Sequence, residues 1–420
     1  MGIKRDDYLQ KLINRRHNKM IKVITGMRRC GKSYLLFNIF AEFLKGQGVI
    51  EDHIIKINLE DRRNKDLRAP DKLLEYIDNK LKDDKMYYIL LDEVQLVDEF
   101  EDVLNSFLHV DNADVYVTGS NAKFLSKDVI TEFRGRGDEV RIYPLSFIEF
   151  ISAFPQDIDR YKMLADYMTY GGLPQIVSMA TAEQKKEYLQ SLFNHTYIKD
   201  IKERYKLLDD DDLDELVNVL ASGIGGLTNP TKIQHTFHTV KNSRISVGSI
   251  KNYIDYLQDA FLIEKSMRYD IKGRKYISTP YKYYFEDLGL RNARLNFRQS
   301  EQTHLMENLI YTELRRRGYS VDVGQVTENI KNSAGISQRR LLEVDFVCNY
   351  GYKRCYIQSA YALPTEQKQQ QEFASLLRIG DAFRKVVITG NTMQNTYQND
   401  DGIIILNLFD FLLNKDSLGL

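Results

Sequence analysis

The chain has 420 residues, of which 43% are hydrophobic and 28% are charged, and it contains 7 prolines. This composition is typical of a packed globular protein and excludes a wholly disordered or collagen-like chain. At roughly 100–200 residues per domain the length predicts two to four domains. The 59 basic and 59 acidic residues cancel, so any nucleic-acid-binding surface must be a local patch. Three scattered cysteines, and no apolar run of about 18 residues, favour a soluble cytoplasmic protein without disulfides or membrane spans.

Short β-branched runs alternate with helix-length amphipathic segments over the first 150 residues. This alternation predicts a parallel sheet covered by helices, and the scarcity of polar residues in the runs predicts strands buried on both faces. We therefore assign residues 1–150 to one α/β core. The predicted strands are residues 21–27, 53–60, 86–94, 114–120 and 138–145.

Three further segments follow this core. Residues 151–219 are predicted to form a helical connector, and residues 220–298 to form two helices followed by a β-hairpin. Residues 299–420 return to a mixed α/β pattern. The strands predicted there lie near residues 341–348, 354–361, 385–390 and 402–408.

A phosphate-binding loop is predicted at residues 26–33, which read GMRRCGKS and fit G-x-x-x-x-G-K-[ST] between a strand and a helix. Its glycines let successive backbone N–H groups face a phosphate at a helix N-terminus. Lys32 is expected to bind the β- and γ-phosphates of ATP, and the Ser33 hydroxyl to ligate Mg²⁺. The residues predicted to bind the nucleotide are Gly26, Met27, Arg28, Arg29, Cys30, Gly31, Lys32, Ser33 and Tyr34.

An acidic pair follows the hydrophobic run YYILL at residues 87–91. Asp92 is predicted to hold the Mg²⁺ shell, and Glu93 to polarise the attacking water as a general base. A second acid beside the metal ligand favours hydrolysis of ATP over binding alone.

Two further groups are candidates for the surroundings of the γ-phosphate. Ser120 or Asn121 follows the next predicted strand and could orient the water, with a plain turn as the alternative. Arg134 and Arg136 lie in a Gly/Arg loop before the fifth strand. One of them could reach a phosphate in a neighbouring subunit, and a solvated loop is the alternative.

The segments GMRRCGKS, YYILLDE, VTGSN, FRGRG…IYPLSFIEF and YGGLP resemble the large bacterial and archaeal family of AAA+-type ATPases that carry a C-terminal domain of poorly defined function. The resemblance covers essentially the whole chain. It implies a sensor role for Ser120 or Asn121, and it makes Arg136 the better candidate for an arginine finger. It also implies assembly into homo-oligomers.

The middle segment is basic, with 13 Lys and Arg against 6 Asp and Glu in residues 228–298. Its helix–helix–hairpin order is similar to a winged helix, whose second helix enters the major groove of DNA while a basic wing contacts phosphates. A module for protein contacts, with its charges merely solvated, is the alternative. The candidate DNA contacts are Lys251, Arg268, Lys272, Arg274 and Lys275.

The C-terminal segment resembles the PD-(D/E)-x-K nuclease fold in the order of its polar residues. Glu307 lies on a predicted helix, Asp345 on a predicted strand and Gln358 on the next strand. Ala360 stands where that fold requires a lysine, and Lys368 could substitute only from the following helix. Because an alanine carries neither a charge nor a transferable proton, we expect a degenerate nuclease site that binds or regulates without cleaving.

Together these patterns predict an α/β protein: a P-loop NTPase with a parallel sheet, a helical connector, a winged-helix module and a C-terminal α/β nuclease-like domain. The predicted function is Mg²⁺-dependent ATP hydrolysis that switches the contact of the winged-helix module with double-stranded DNA. One alternative is an ATP-gated signalling or scaffold protein with a protein partner. The other is an ATP-gated nuclease.

Overall fold

The computed structural model describes residues 2–119, 135–155, 157–207, 211–241, 243–298, 301–331, 337–391, 393 and 395–419. The chain divides into two compact units. Unit 1 comprises Met1–Leu145, Leu173–Gln175 and Asp259–Phe261. Unit 2 comprises Ser146–Gly172, Ile176–Gln258 and Leu262–Leu420.

Unit 1 is built on a five-stranded parallel sheet with the order β2-β3-β4-β1-β5. All five strands predicted from the sequence are confirmed. They are β1 (Ile21–Thr25), β2 (Ile54–Asn58), β3 (Tyr87–Asp92), β4 (Ala113–Thr118) and β5 (Gly137–Arg141).

Helices connect these strands, and the longest helical stretch follows β1. It begins with α2 (Lys32–Tyr34), continues through a π-helical segment (Leu35–Phe40) and ends with α3 (Ala41–Gly46). The other α-helices among the described residues of unit 1 are α1 (Asp6–Ile13), α4 (Pro70–Asp78) and α5 (Phe100–Phe107). Short 3₁₀ segments occupy Glu51–His53, Arg62–Arg68 and Val94–Leu96.

The central strands of unit 1 are buried along their length, as their apolar sequences predict. Strand β1 lies between β4 and β5, while the chain that leaves it returns as β2 at the far edge of the sheet. The next strand after β1 therefore joins the sheet on the β4 side, whereas the next strand after β4 joins it on the far side of β1, so the connections of these two neighbours run in opposite directions. Ligands of open α/β sheets bind at such a switch point, outside the carboxyl ends of the strands.

Further helices lie in the described residues after β5. They are α6 (Phe147–Ile151), α7 (Arg160–Tyr170), α8 (Pro174–Val177), α9 (Ala182–Leu192), a π-helical segment (Phe193–Ile198), α10 (Lys199–Arg204), α11 (Asp211–Ser222), α12 (Pro230–Lys241), α13 (Val247–Asp259), α14 (Leu288–Arg294), α15 (Gln302–Arg316), α16 (Glu366–Leu377) and α17 (Leu408–Leu413). The helical character predicted for residues 151–219 is confirmed over the residues described there. No helix in the described ranges is long and apolar enough to cross a membrane.

Unit 2 contains an eight-stranded sheet with the order β12-β13-β11-β10-β9-β8-β6-β7. Its members are β6 (Ile263–Asp270), β7 (Lys275–Phe285), β8 (Ser320–Lys331), β9 (Ser337–Tyr350), β10 (Lys353–Ala360), β11 (Arg384–Thr389), β12 (Tyr397–Gln398) and β13 (Ile404–Asn407). Helix α15 precedes three antiparallel strands, β8 to β10, and α16 precedes β11, which runs parallel to β10.

The hairpin predicted after the two middle helices is confirmed as β6 and β7. It is not a free wing, however, because β6 pairs in parallel with β8 through Arg268–Asp270. The separation predicted between residues 298 and 299 therefore does not extend to the hairpin, which belongs to the same sheet as the C-terminal strands. Strand pairing between distant segments has no signal in local periodicity, so the sequence could not indicate this join.

Candidate functional site

The predicted phosphate loop leads from β1 into α2, and two of its glycines adopt a conformation that side chains disfavour. Gly26 has φ 139° and Gly31 has φ 99°. A Cβ on Gly26 would collide with the carbonyl oxygen of Ile142. The loop therefore needs glycine at this position for backbone conformation and for space.

Lys32 is buried at the start of α2, and its Nζ bridges the loop. It donates to the carbonyl oxygens of Gly26 at 2.9 Å and Met27 at 3.0 Å. These bonds hold the ammonium against the loop's own backbone. Neutral carbonyls restrain the ammonium without neutralising its charge.

The metal ligands predicted from sequence, Ser33 and Asp92, lie close enough for hydrogen bonding by the Ser33 side chain to lower the pKa of Asp92. Thr118, the last residue of β4, donates from Oγ1 to Asp92 Oδ1 at 2.6 Å. Three oxygen-bearing side chains from α2, β3 and β4 thus meet at the carboxyl edge of the sheet. Oxygen ligands of this kind, a hydroxyl and a carboxylate, suit Mg²⁺.

Glu93 adopts the left-handed conformation, with φ 55°, directly after β3. Its backbone N–H donates to Thr118 Oγ1 at 3.0 Å, and its carboxylate accepts a hydrogen bond from the Gln95 side chain. Left-handed backbone is costly for a residue with a Cβ and is common at functional sites. It turns Glu93 away from the strand while Asp92 stays buried within it.

Burial raises the pKa of Asp92 above the ordinary value of an aspartate. Hydrogen bonds from Thr118 and Ser33 and the positive charge of Lys32 act in the opposite direction, while the nearby charge of Glu93 adds to the increase. A carboxylate held in this way benefits from any further cation placed beside it.

Sequence reasoning missed two residues of this site. Thr118 links Asp92 to Glu93, and its position at the end of the neighbouring strand was the available signal. Arg5 is buried and donates to the carbonyl oxygens of Cys30 at 2.9 Å and Tyr143 at 2.7 Å. It thereby ties the phosphate loop to the segment after β5, and nothing in its local sequence indicates this role.

The remaining candidates of unit 1 divide into described and undescribed residues. Ser120, Asn121 and Arg134 lie outside the described residues. Arg136 is exposed, and its carbonyl oxygen accepts a hydrogen bond from the backbone N–H of Ile21 at 2.9 Å.

Four of the five predicted DNA contacts are exposed. Lys251 lies on α13, while Lys272, Arg274 and Lys275 cluster at the turn of the hairpin, where Lys272 Nζ also donates to the Thr327 carbonyl at 3.0 Å. Arg268 is different, because it is half-buried and donates to the Gln325 side chain on β8. The hairpin turn is therefore the more accessible basic surface.

In unit 2 the structure brings the predicted Glu307 and Asp345 together around a lysine that sequence reasoning missed. Lys282 of β7 is 2% exposed, and its Nζ lies 2.8 Å from Glu307 Oε1, 2.7 Å from Glu343 Oε1 and 3.4 Å from Asp345 Oδ1. We call these four residues the Lys282 cluster. Lys282 and Asp345 are 63 positions apart in sequence, so no motif spacing links them.

The other predicted residues surround this cluster. Gln358 Oε1 accepts from the Asp345 backbone N–H at 3.4 Å, and its Nε2 donates to Glu372 at the same distance. Lys368, the possible substitute for the missing lysine, pairs instead with Glu372 at 2.6 Å. Ala360 is buried.

In the Lys282 cluster, burial and charge pairing shift the pKa values of the side chains in opposite directions. Burial by itself lowers the pKa of Lys282, but the negative charges of Glu307, Asp345 and Glu343 outweigh it and raise that pKa above its ordinary value. Burial raises the pKa of Glu307 to about 7, against the effect of Lys282. The cluster therefore holds its lysine charged throughout the physiological range.

Comparison with known proteins identifies the family. Residues 18–151 match the family described as AAA domain. A Haemophilus influenzae protein is 34% identical over 417 residues, which cover 98% of this chain and 98% of that protein. A Methanocaldococcus jannaschii protein is 31% identical over 363 residues, covering 84% and 77%. The chain belongs to this family of AAA-domain proteins.

Both of these relatives are named as uncharacterized proteins. Residues 161–301 of this AAA-domain protein match a second family, a domain of unknown function, DUF8612. The solved structures that it resembles include the Aeropyrum pernix ORC1 protein in complex with DNA. The TM-score is 0.33 with 12% sequence identity, covering 72% of this chain and 93% of that one.

Proposed function

We propose that this protein binds Mg·ATP at the phosphate loop and hydrolyses it. The observation that carries the proposal is that Thr118 forms hydrogen bonds with both Asp92 and the backbone of Glu93, while Ser33 and Lys32 both act on the same Asp92 carboxylate. Lys32 provides the cation for the β- and γ-phosphates, and backbone N–H groups at the start of α2 face them.

Ser33 and Asp92 are the residues that would hold Mg²⁺, which supplies positive charge to the phosphate oxygens when bound. Glu93 accepts a proton from the attacking water, and Thr118 fixes its backbone relative to Asp92. Arg136, exposed on the same unit, is our candidate for the cation that a neighbouring copy supplies, with Ser120 or Asn121 as the water-orienting residue.

We further propose that the nucleotide state switches contact with double-stranded DNA. The support is the basic excess of residues 228–298 and the exposure of Lys272, Arg274 and Lys275 at one hairpin turn. Clustered basic side chains bind backbone phosphates and release counterions, which makes such contacts sensitive to salt. A protein partner at the same hairpin is the alternative.

The test is steady-state ATP hydrolysis with Mg²⁺, measured with and without duplex DNA. Glu93→Gln should lower turnover by about 10²–10⁴-fold while ATP still binds, since the amide cannot accept the proton. Turnover that is unchanged in this variant would remove the assigned role of Glu93.

The DNA proposal has a matched control in the same assay. The double variant Arg274→Asn and Lys275→Ala should reduce DNA stimulation and shift the slope of log affinity against log salt by about 1–2. Lys82→Ala with Lys85→Ala removes two lysines of unit 1 that lie far from the hairpin in sequence, and it should leave both quantities unchanged. A rate of ATP hydrolysis that duplex DNA does not change at any salt concentration would favour the protein partner.

A further inference from the structure

We infer that the ammonium of Lys282 takes the place of a divalent metal ion among Glu307, Glu343 and Asp345, and that it closes this cluster to Mg²⁺. The cluster lies in unit 2 alone, so its properties do not depend on whether unit 1 hydrolyses ATP. Ala360 marks the place of a missing lysine in the sequence pattern. The folded protein does supply a lysine, but that lysine occupies the position of the metal.

Hydrogen-bond capacity is the first argument. An ammonium has three protons, and three carboxylate oxygens lie within 3.4 Å of Lys282 Nζ. Two of these oxygens, on Glu307 and Asp345, accept hydrogen bonds from the ammonium, and the Glu343 oxygen forms an ion pair with it. The ammonium is therefore engaged by three carboxylates while the cluster is intact.

The oxygens of the cluster are also engaged from outside. Glu307 Oε1 accepts a further hydrogen bond from Tyr284 Oη at 2.7 Å. Asp345 Oδ2 accepts one from the backbone N–H of Ser359 at 2.9 Å. These bonds fix the carboxylates in the positions that face Lys282.

Distances give the second argument. The oxygens of Glu343 and Glu307 lie 2.7 and 2.8 Å from the nitrogen, which is the spacing of charge-assisted contacts, and the Asp345 oxygen lies at 3.4 Å. Mg²⁺ requires oxygens at about 2.0–2.1 Å in near-octahedral arrangement. Within the described ranges, no group of three or more His, Cys, Asp or Glu side chains is placed to hold a metal ion.

Charge gives the third argument. Lys282 is part of the chain, is 2% exposed and faces three acids. Its ammonium therefore stays in the cluster, whereas a metal ion would have to bind from solution. Gln358 contributes an uncharged amide, and Ala360 contributes no amino group where the sequence pattern of a metal-dependent nuclease places a lysine. The residues present therefore do not fit a Mg²⁺ site, and unit 2 does not cleave phosphodiesters by metal-dependent chemistry.

The experiment is a Mn²⁺ titration of nucleotide-free full-length protein, with free Mn²⁺ followed by electron paramagnetic resonance. All variants carry Asp92→Asn, which removes the metal ligand of unit 1. The Asp92→Asn protein should bind no Mn²⁺ that depends on Asp345. Adding Lys282→Ala should create one Mn²⁺ site per chain with at least about tenfold higher affinity, and adding Asp345→Asn to that variant should abolish it.

Two results of this titration would overturn the inference. One is a Mn²⁺ ion on the Asp92→Asn protein that disappears with Asp345→Asn, because the cluster would then accept a metal despite Lys282. The other is a folded Lys282→Ala protein that binds no Mn²⁺. If Lys282→Ala does not fold, the comparison of Asp92→Asn with and without Asp345→Asn still decides the question, since the lysine is intact in both. Mg²⁺-dependent nicking of plasmid that is lost in Asp345→Asn would also contradict the inference.

Discussion

The phosphate loop of unit 1 and the Lys282 cluster of unit 2 use the same residue types in opposite ways. At the loop, Lys32 donates to backbone carbonyls and the carboxylate of Asp92 is held by hydroxyl groups. In the cluster, Lys282 donates to Glu307 and Asp345 and forms an ion pair with Glu343. In the first arrangement the lysine and the acid each have uncharged hydrogen-bond partners, whereas in the second they pair with each other.

The difference shows how a buried lysine can serve either a ligand or the fold. A lysine bonded to neutral carbonyls retains an uncompensated charge, which an anionic ligand stabilises. A lysine bonded to carboxylates is already compensated, and its loss leaves buried negative charges without a partner. Substitutions at the two sites should therefore differ in whether they change stability or nucleotide chemistry.

Lys282→Met should destabilise unit 2 more than substitution of an exposed lysine on the same sheet. Removing one partner of a buried charge cluster costs about 3–5 kcal/mol in the free energy of unfolding, because the remaining carboxylates lose their cation. Denaturant unfolding measures this cost. Lys265→Met, an exposed lysine on neighbouring β6, is the control and should change stability by less than about 0.5 kcal/mol. Equal effects of the two substitutions would contradict the assigned role of Lys282.

Lys32→Ala should weaken nucleotide binding more than it lowers stability. Nucleotide affinity should fall about 10- to 100-fold, because a charge-assisted contact with phosphate contributes roughly 1.5–3 kcal/mol. The unfolding free energy should change by about 1–2 kcal/mol at most, since the lost hydrogen bonds end on neutral carbonyls. Calorimetric titration with ATP and denaturant unfolding measure the two quantities. Intact nucleotide binding would exclude residues 26–33 as the phosphate loop.

The stability of unit 2 should depend on pH through Glu307. Burial raises the folded-state pKa of Glu307 to about 7 from an ordinary 4.5, so ionisation is harder in the folded protein. The stability that the protonated Glu307 side chain contributes to the folded protein is therefore lost as pH rises from about 4.5 to 7. Relative to Glu307→Gln, which cannot ionise, the wild type should lose about 1–3 kcal/mol of unfolding free energy across this range. A wild type that gains stability relative to Glu307→Gln as pH rises would contradict this expectation, because the fold would then favour the ionised form.

Thr118→Val should lower the rate of ATP hydrolysis by about 5- to 30-fold with little change in nucleotide affinity. The substitution preserves shape but removes the hydroxyl that joins Asp92 to the backbone of Glu93, at a cost of about 1–2 kcal/mol. Thr118→Ser keeps the hydroxyl and should retain most of the activity. If Thr118→Ser is as slow as Thr118→Val, the effect comes from packing and the hydroxyl has no role in hydrolysis.

Much of unit 1 was predictable because its signals are local. The apolar strand runs, the glycine spacing of the loop and the acidic pair after residue 91 each lie within about ten residues, and the structure confirms the strands. The link through Thr118 could be predicted only in part. The sequence placed the end of β4 in the site, but the candidates there were Ser120 and Asn121, which the described residues do not include.

Unit 2 was harder because its decisive contacts join distant segments. The hairpin was predicted, but its pairing with β8 depends on residues about 55 positions away. The cysteines illustrate the same point. Cys348 and Cys355 show no motif spacing in the sequence, yet they lie directly opposite each other on β9 and β10, both buried and both free.

The sequence by itself determined the five strands of unit 1, the phosphate-loop pattern and the positions of Asp92, Glu93, Glu307 and Asp345, because periodicity and short motifs are written within single elements. Tertiary structure alone decided which oxygen atoms each buried cation contacts. Lys282 reaches Asp345 across 63 residues of chain, and Arg5 reaches the carbonyl of Cys30 across 25. The physical reason is that Coulomb and hydrogen-bond energies depend on separation in space, which sequence separation does not specify.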